Sequence, residues 1–181
     1  MRHEIRATGL GGQGVILIGV LLGTAAVMYE NKNAIQTQSY GSEATGTLSE
    51  SNVIISDEDI HFQKVRKSDI FVAFCQEAYD AKLEKAKENS FVIVEKDLVR
   101  NIRDTDKYKT YAIPALSRAE QIGKKVVMNM ILLGSLIGIT NVLKKDSIIR
   151  AIKETTSKKY VDLNLQAFNA GYDLGINAKQ L

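Results

Sequence analysis

Two short stretches constrain this chain more than any other: IFVAF at 70–74 and FVIV at 91–94. Neither alternates polar with apolar residues, so a strand built from either must be covered on both faces. Runs of strand length alternate along the chain with helical patterns. HEIRAT at 3–8 alternates apolar and polar residues until Gly9, and GVILIGVLLGTAAVMYE at 14–30 has the length and composition of a buried helix. AIQTQSY at 34–40 comes next. The stretch 47–56 is polar at first and apolar at its end, as in an edge or antiparallel strand. EAYDAKLEKAKEN at 77–89 carries Glu and Lys at helical spacings and predicts a surface helix. TYAI predicts a short strand ending at Pro114, the single proline, which suits the first turn of a helix over PALSRAEQIGKK. The last third reads as helical, with an apolar stripe of Val161, Leu165, Phe168, Tyr172 and Ile176.

Strand–helix alternation with continuous apolar strands predicts an α/β fold. The expected architecture is a single domain over 1–181: a Rossmann-like three-layer arrangement with a mainly parallel sheet, flanking helices, at least one antiparallel edge strand and a helical C-terminal third. At 181 residues and 45% hydrophobic composition the chain suffices for one ordinary core. A net charge of +3, with scattered lysines, gives no nucleic-acid footprint. One cysteine excludes a disulfide framework and any four-cysteine zinc or iron–sulfur site made by this chain alone. The two histidines, His3 and His61, lie far apart. The apolar run VVMNMILLGSLIGITNVL at 126–143 approaches the length of a membrane span, yet Asn129, Ser135, Thr140 and Asn141 interrupt it. It predicts a helix buried on most sides, with no membrane partner. The start, MRHEIRATG, lacks an apolar signal region, so a cytoplasmic location is expected.

The sharpest local motif is Gly9-Leu10-Gly11-Gly12-Gln13-Gly14, between the first strand and the first helix. Glycines there permit a tight turn and close backbone approach, and amides at a helix start can receive an anion. The spacing satisfies G-x-G-x-x-G, but a dinucleotide site also wants an acid near the end of the second strand. That strand ends in Gln38-Ser39-Tyr40, without one. The residues leave phosphate binding, a structural turn and a dinucleotide site all open. A second feature is QTQSYGSEATGTLSES at 36–51, in which Ser39, Tyr40 and Glu43 could hydrogen-bond a ligand or partner; the plain alternative is a solvated loop. Cys75, after a buried strand, reads as a small core residue and not as a nucleophile. No Walker loop, G-x-S-x-G, H-E-x-x-H or Gly-Asp-Gly of a thiamine-diphosphate motif occurs.

GLGGQGVILIGVLLGTAA, QTQSYGSEATGTLSESNVIISD, FCQEAYD, MNMILLGSLIGIT and LNLQAFNAGYDLG, taken in order, resemble the gamma subunit of the 2-oxoacid:ferredoxin oxidoreductases, with the 2-oxoglutarate branch favoured over pyruvate and ketoisovalerate. The resemblance implies an α/β domain that packs on alpha and beta subunits and helps shape the coenzyme A region. It implies partners: alpha, beta and delta or ferredoxin-like subunits, which would carry thiamine diphosphate, magnesium and iron–sulfur clusters, with ferredoxin as acceptor. This chain would bind none of those groups alone and would form a homo-oligomer when isolated. The matching site positions are Gly11, Gly12, Gln13, Gly14, Gln38, Ser39, Tyr40, Gly41, Glu43 and Gly46. The loop departs from the family's usual QSYGPEARGG and the following serine–basic–serine: Ser42, Thr45 and Thr47 replace Pro, Arg and the second Gly, and Glu50 stands where a basic residue is usual. Guanidinium contacts to an anion are lost with those changes. Two other readings are a stand-alone dinucleotide-binding oxidoreductase using 9–14, and a small-molecule-binding or scaffold protein on the same fold.

Overall fold

Along the first strand, Arg2–Leu10 (β1), alternate residues serve different layers: Ile5 and Ala7 enter one apolar core, while Arg6 and Thr8 are buried on the opposite face. Among the described residues, five further strands join the sheet: Asn33–Tyr40 (β2), Leu48–Ser56 (β3), Ser68–Ala73 (β4), Ala86–Glu95 (β5) and Lys109–Ile113 (β6). The computed structural model describes residues 1–40 and 47–181. The order is β2-β3-β1-β4-β5-β6. Strands β1, β4, β5 and β6 are mutually parallel. β3 is antiparallel to both β1 and β2, so β2 runs the same way as the parallel set. The antiparallel strand expected over 47–56 is therefore interior, and the edge strand that pairs antiparallel is β2.

Among the described residues, six helices flank the sheet: Val15–Glu30 (α1), Gln76–Lys82 (α2), Ala115–Ile122 (α3), Met128–Thr140 (α4), Lys145–Thr155 (α5) and Val161–Ile176 (α6). The larger core joins Val53, Ile55, Ile70, Val72 and Ile93 to α1 and α3–α6. The smaller one joins Phe71, Ala73, Val92 and Val94 to Tyr79 of α2 and to Leu83, Val99 and Tyr108. Each continuous apolar strand thus feeds both layers, as its lack of alternation requires.

Two expectations need correction. The helix over 77–89 is cut short: α2 ends at Lys82, a single tight turn spans Leu83–Lys85, and β5 already begins at Ala86. Ala86 is buried in the smaller core and pairs with Ser68, and that ladder outweighs the helical Glu/Lys spacing. The C-terminal stripe is also rotated. The buried residues of α6 are Ala167, Phe168, Gly171 and Gly175, whereas Ile176 is 56% exposed. The cause lies in α4, whose residues 128–137 are all buried. Gly134 and Gly138 of α4 meet the α6 backbone, and Gly171 and Gly175 meet the α4 backbone, so closely that a Cβ on any of the four would sit inside 3.0 Å of backbone atoms. Glycine faces, not large apolar ones, set this contact. Ser135 adds a hydrogen bond from its hydroxyl to the Gly171 carbonyl at 2.9 Å. Among the described residues, no helix is long and apolar enough to cross a membrane.

Candidate functional site

The chain leaves β1 through α1 on one face of the sheet and leaves β4 through α2 on the other. Crossovers that diverge in this way open a crevice at the carboxyl ends of the strands, where ligands bind in doubly wound sheets. The glycine loop lies at that point. Gly12 has φ +91° and Gly14 φ +78°, both in the left-handed region that a side chain rarely adopts. Within the loop, Leu10 N–H donates to Gln13 Oε1 at 2.7 Å and Gln13 N–H to the Leu10 carbonyl at 3.1 Å. Gln13 thus uses its amide oxygen to clamp the turn. Gly11 N–H donates to the Thr47 carbonyl at 3.0 Å, tying the loop to the residue before β3.

Gly14 caps α1 without a side-chain partner, and α1 has no acid in its first turn. The positive end of a long helix thus begins at the glycine loop with no carboxylate of its own first turn to compete for its amides. Behind the loop, Asn129 Nδ2 reaches the Gly14 carbonyl at 3.5 Å, which accounts for one polar interruption of the apolar run. A Cβ on Gly14 would collide with that Asn129 amide, whereas one on Gly12 would meet nothing within 4 Å. Gly12 is the open point of the loop.

Beside Gly12 and Gln13, a depression of about 280 Å³ is completed by Leu98, Leu116, Lys125, Val126 and Met128. Val126 also lines a neighbouring groove of about 540 Å³ with Lys124, Leu17, Tyr160 and Leu163. Lys124 and Lys125 were not among the residues singled out in the sequence, although Gly123-Lys124-Lys125 directly before a buried helix was the available signal. Lys125 pairs with Glu120 at 2.9 Å on the surface. Amides, a helix start, nearby lysines and apolar walls suit an anionic group carried on an apolar body.

Gln38, Ser39 and Tyr40 end β2 at the same end of the sheet and are exposed, Tyr40 by 59%. One strand, β3, separates them from the glycine loop, a spacing of about 10 Å. Gly41, Glu43 and Gly46, with Ser42 and Thr45, lie outside the described residues.

Glu50 has a role that the sequence did not reveal. It faces the smaller layer, 9% exposed, opposite Thr8 in the β1–β3 register. Lys82 Nζ lies 2.8 Å from its Oε2 and Arg6 Nε 3.5 Å from its Oε1, and Asn52 Nδ2 donates to it at 2.7 Å. Burial pushes the Glu50 carboxyl up, but the hydrogen bonds from Lys82 and Asn52 and the charges of Arg6 and Lys82 outweigh it and hold the group below its ordinary range. The acid is thus an internal anchor between two cations. Cys75 is buried at the start of α2, and burial pushes its thiol up, away from thiolate chemistry. A cluster takes about four thiolates, so this chain's donor set does not fit one. Among the described residues, no group of three His, Cys, Asp or Glu side chains could hold a metal ion.

Fold and loop define the class: an α/β domain with a glycine-rich strand-to-helix turn at the carboxyl ends of its parallel strands. The model of the pyruvate ferredoxin/flavodoxin oxidoreductase family matches residues 4–174. The chain belongs to that family, as a gamma-type chain. It is 46% identical to 2-oxoglutarate synthase subunit KorC of Methanocaldococcus jannaschii, over 100% of this chain and 96% of the relative. Its fold matches the gamma subunit of a keto/oxoacid ferredoxin oxidoreductase from Geobacter sulfurreducens with TM-score 0.86 and 36% identity, covering 96% of this chain and 98% of that one. A 2-oxoglutarate:ferredoxin oxidoreductase from Magnetococcus marinus, solved with 2-oxoglutarate, coenzyme A and succinyl-CoA bound, shares the fold at TM-score 0.88 and 22% identity; 99% of this chain matches 32% of that larger one.

Proposed function

We propose that the chain is the gamma subunit of a multi-subunit 2-oxoacid:ferredoxin oxidoreductase acting on 2-oxoglutarate, and that it shapes the coenzyme A region without carrying out the redox step. The observation that carries this reading is the near-complete two-way coverage of KorC at 46% identity. Alpha and beta subunits, with a ferredoxin-like delta component, supply thiamine diphosphate, magnesium and clusters, and ferredoxin takes the electrons. Gly11, Gly12, Gln13 and Gly14, with Gln38, Ser39, Tyr40, Gly41, Glu43 and Gly46, form the binding positions. Lys124 and Lys125 bring the positive charge that the loop lacks at Thr45 and Glu50. Alone, the chain self-associates.

Co-expression with the alpha and beta subunits of the same enzyme tests the reading. A complex containing this chain should form and convert 2-oxoglutarate and coenzyme A to an acyl thioester, while the isolated chain with thiamine diphosphate and an electron acceptor gives no turnover. Turnover by the chain alone, or failure to join either subunit, would refute it.

The loop has its own test. Gly12→Val should fold, because no atom obstructs its Cβ, at a cost of about 1–3 kcal/mol from a β-branched residue at positive φ. In the assembled enzyme it should raise the apparent KM for coenzyme A more than it slows ferredoxin-linked decarboxylation. Unchanged kinetics in both half-reactions would make the loop a connector only.

A further inference from the structure

The two edges of the sheet are treated differently. At β6 the C-terminal residues lie alongside, and Leu181 N–H donates to the Thr110 carbonyl at 2.9 Å. At the other edge β2 has β3 as its only sheet partner among the described residues, and its eight residues pair with β3 without a bulge. Its sequence, NAIQTQSY, contains no charge and no proline. Those are the devices with which an exposed edge is normally blunted. Half of its residues therefore turn backbone donors and acceptors outward, with no sheet partner opposite among the described residues.

The helix above this edge carries a matching surface. Gln36 of β2 donates its side-chain amide to the Ile16 carbonyl at 3.0 Å, and Gly19 packs against Gln36 and Ser51. These contacts set α1 over β3 and β2. Ile16, Val20, Gly23 and Val27 then share one flank of α1 (i, i+4, i+7, i+11), on the side of Gly19 that leans over the β2 edge. Ile16 and Val20 are half-buried, Val27 is 48% exposed, and a Cβ on Gly23 would meet nothing within 4 Å. The one charge on this flank is Glu30 at its C-terminal end (i+14), whose Oε1 accepts from the Lys144 backbone N–H at 2.6 Å.

We propose that β2 and this flank of α1 form the self-association surface of the isolated chain, with a second copy as the occupant. Two β2 strands pair antiparallel about a two-fold axis, extending the sheet across the dimer, and the two α1 flanks meet above them. The inference deepens the self-association stated under Proposed function and does not depend on the catalytic reading. An antiparallel edge is complementary to itself under a two-fold axis, and between Ile16 and Val27 the flank brings no like charges together, Glu30 lying at its far end. The size suffices as well. Eight residues span about 27 Å, and helix plus sheet layers are about 20 Å deep, giving about 540 Å² per copy. The total of about 1,100 Å² clears the roughly 1,000 Å² expected of a specific interface.

Sedimentation equilibrium of the full chain over a dilution series, with hydrogen exchange on residues 33–40, decides the matter. The expected result is a monomer–dimer equilibrium in which β2 amides gain protection as concentration rises. Val27→Lys and Val20→Lys should each weaken the dimer about tenfold or more through like charges facing each other across the axis. Ile176→Lys, on an exposed position of α6, should leave it unchanged. The proposal is overturned if the chain stays monomeric throughout. It is equally overturned if a dimer forms with unprotected β2 and yields to Ile176→Lys instead, or if β2 is protected only by added alpha or beta subunits. Loss of self-association with intact assembly and turnover would remove this inference and leave the gamma-subunit reading standing.

Discussion

Gly171→Val is expected to destabilise the chain by more than about 4 kcal/mol and to leave no cooperative native state at physiological temperature. Overpacking usually costs about 1–3 kcal/mol because neighbouring side chains can yield. Here the obstacle is the Ile131 backbone, carbonyl oxygen and Cα together, within the fully buried first part of α4. A helix backbone cannot give by rotating a side chain, so α4 and α6 would have to part along their whole contact, including Gly134 against the Phe168 carbonyl and Gly175 against Ser135. The Ser135–Gly171 hydrogen bond would go as well, leaving buried polar groups unpaired. Denaturant unfolding followed by circular dichroism measures the effect. Gly23→Ala is the comparison: the position is helical but open, so it should stabilise by about 0.5–1 kcal/mol. A Gly171→Val variant with a native-like midpoint would show that the helices do not touch as described.

Glu50→Leu should cost about 3–5 kcal/mol, the usual result of leaving a buried cation without its counter-charge. Arg6, 5% exposed, would keep its hydrogen bonds to Asn52 Oδ1 at 3.0 Å and to the Val65 and Lys85 carbonyls at 2.7 and 3.3 Å, but would lose the carboxylate it pairs with. Removing Lys82 instead should cost about 1 kcal/mol or less, because that side chain is 34% exposed and remains well hydrated. The pH dependence has a definite sign. Since the folded state holds the Glu50 carboxyl below its ordinary range, the stabilisation is complete above that range and is lost as pH falls through the lowered value. Stability measured against pH should therefore drop less steeply on the acid side in Glu50→Gln than in the parent chain. Identical acid limbs would remove the anchor role.

Much of the architecture could be read from the chain because the relevant signals were local. Continuous apolar runs marked strands covered twice, a glycine loop marked the strand-to-helix turn, and the run at 126–143 was buried as α4. The failures share a cause: in each, a contact distant in sequence overrode a local pattern. Glu/Lys spacing over 77–89 favoured helix, but pairing with β4 claimed Ala86. The α6 stripe pointed to Ile176, but backbone contact with α4 turned the glycines inward. Glu50 read as an altered loop charge because its partners, Arg6 and Lys82, lie 44 and 32 positions away. Of the candidate site, Gly11–Gly14 and Gln38–Tyr40 were visible as motifs, whereas Lys124 and Lys125 come to line the depressions beside Val126 only through the placement of α3 and α4.

The contact from Asn129 Nδ2 to the Gly14 carbonyl joins a turn with two positive-φ glycines to a helix packed backbone to backbone on its neighbour. A turn holding two positive-φ glycines would, left alone, sample many backbone states. Asn129 belongs to a helix whose neighbour rests against it backbone to backbone, a contact with no side-chain slack to absorb motion. Anchored there, the turn inherits the stiffness of the helix pair. Its amides are oriented during folding, so for the anion site proposed there the entropy of ordering the turn would not detract from affinity. Loosening the α4–α6 contact should then be felt at Gly12, even though no residue of α6 lines the depression beside it.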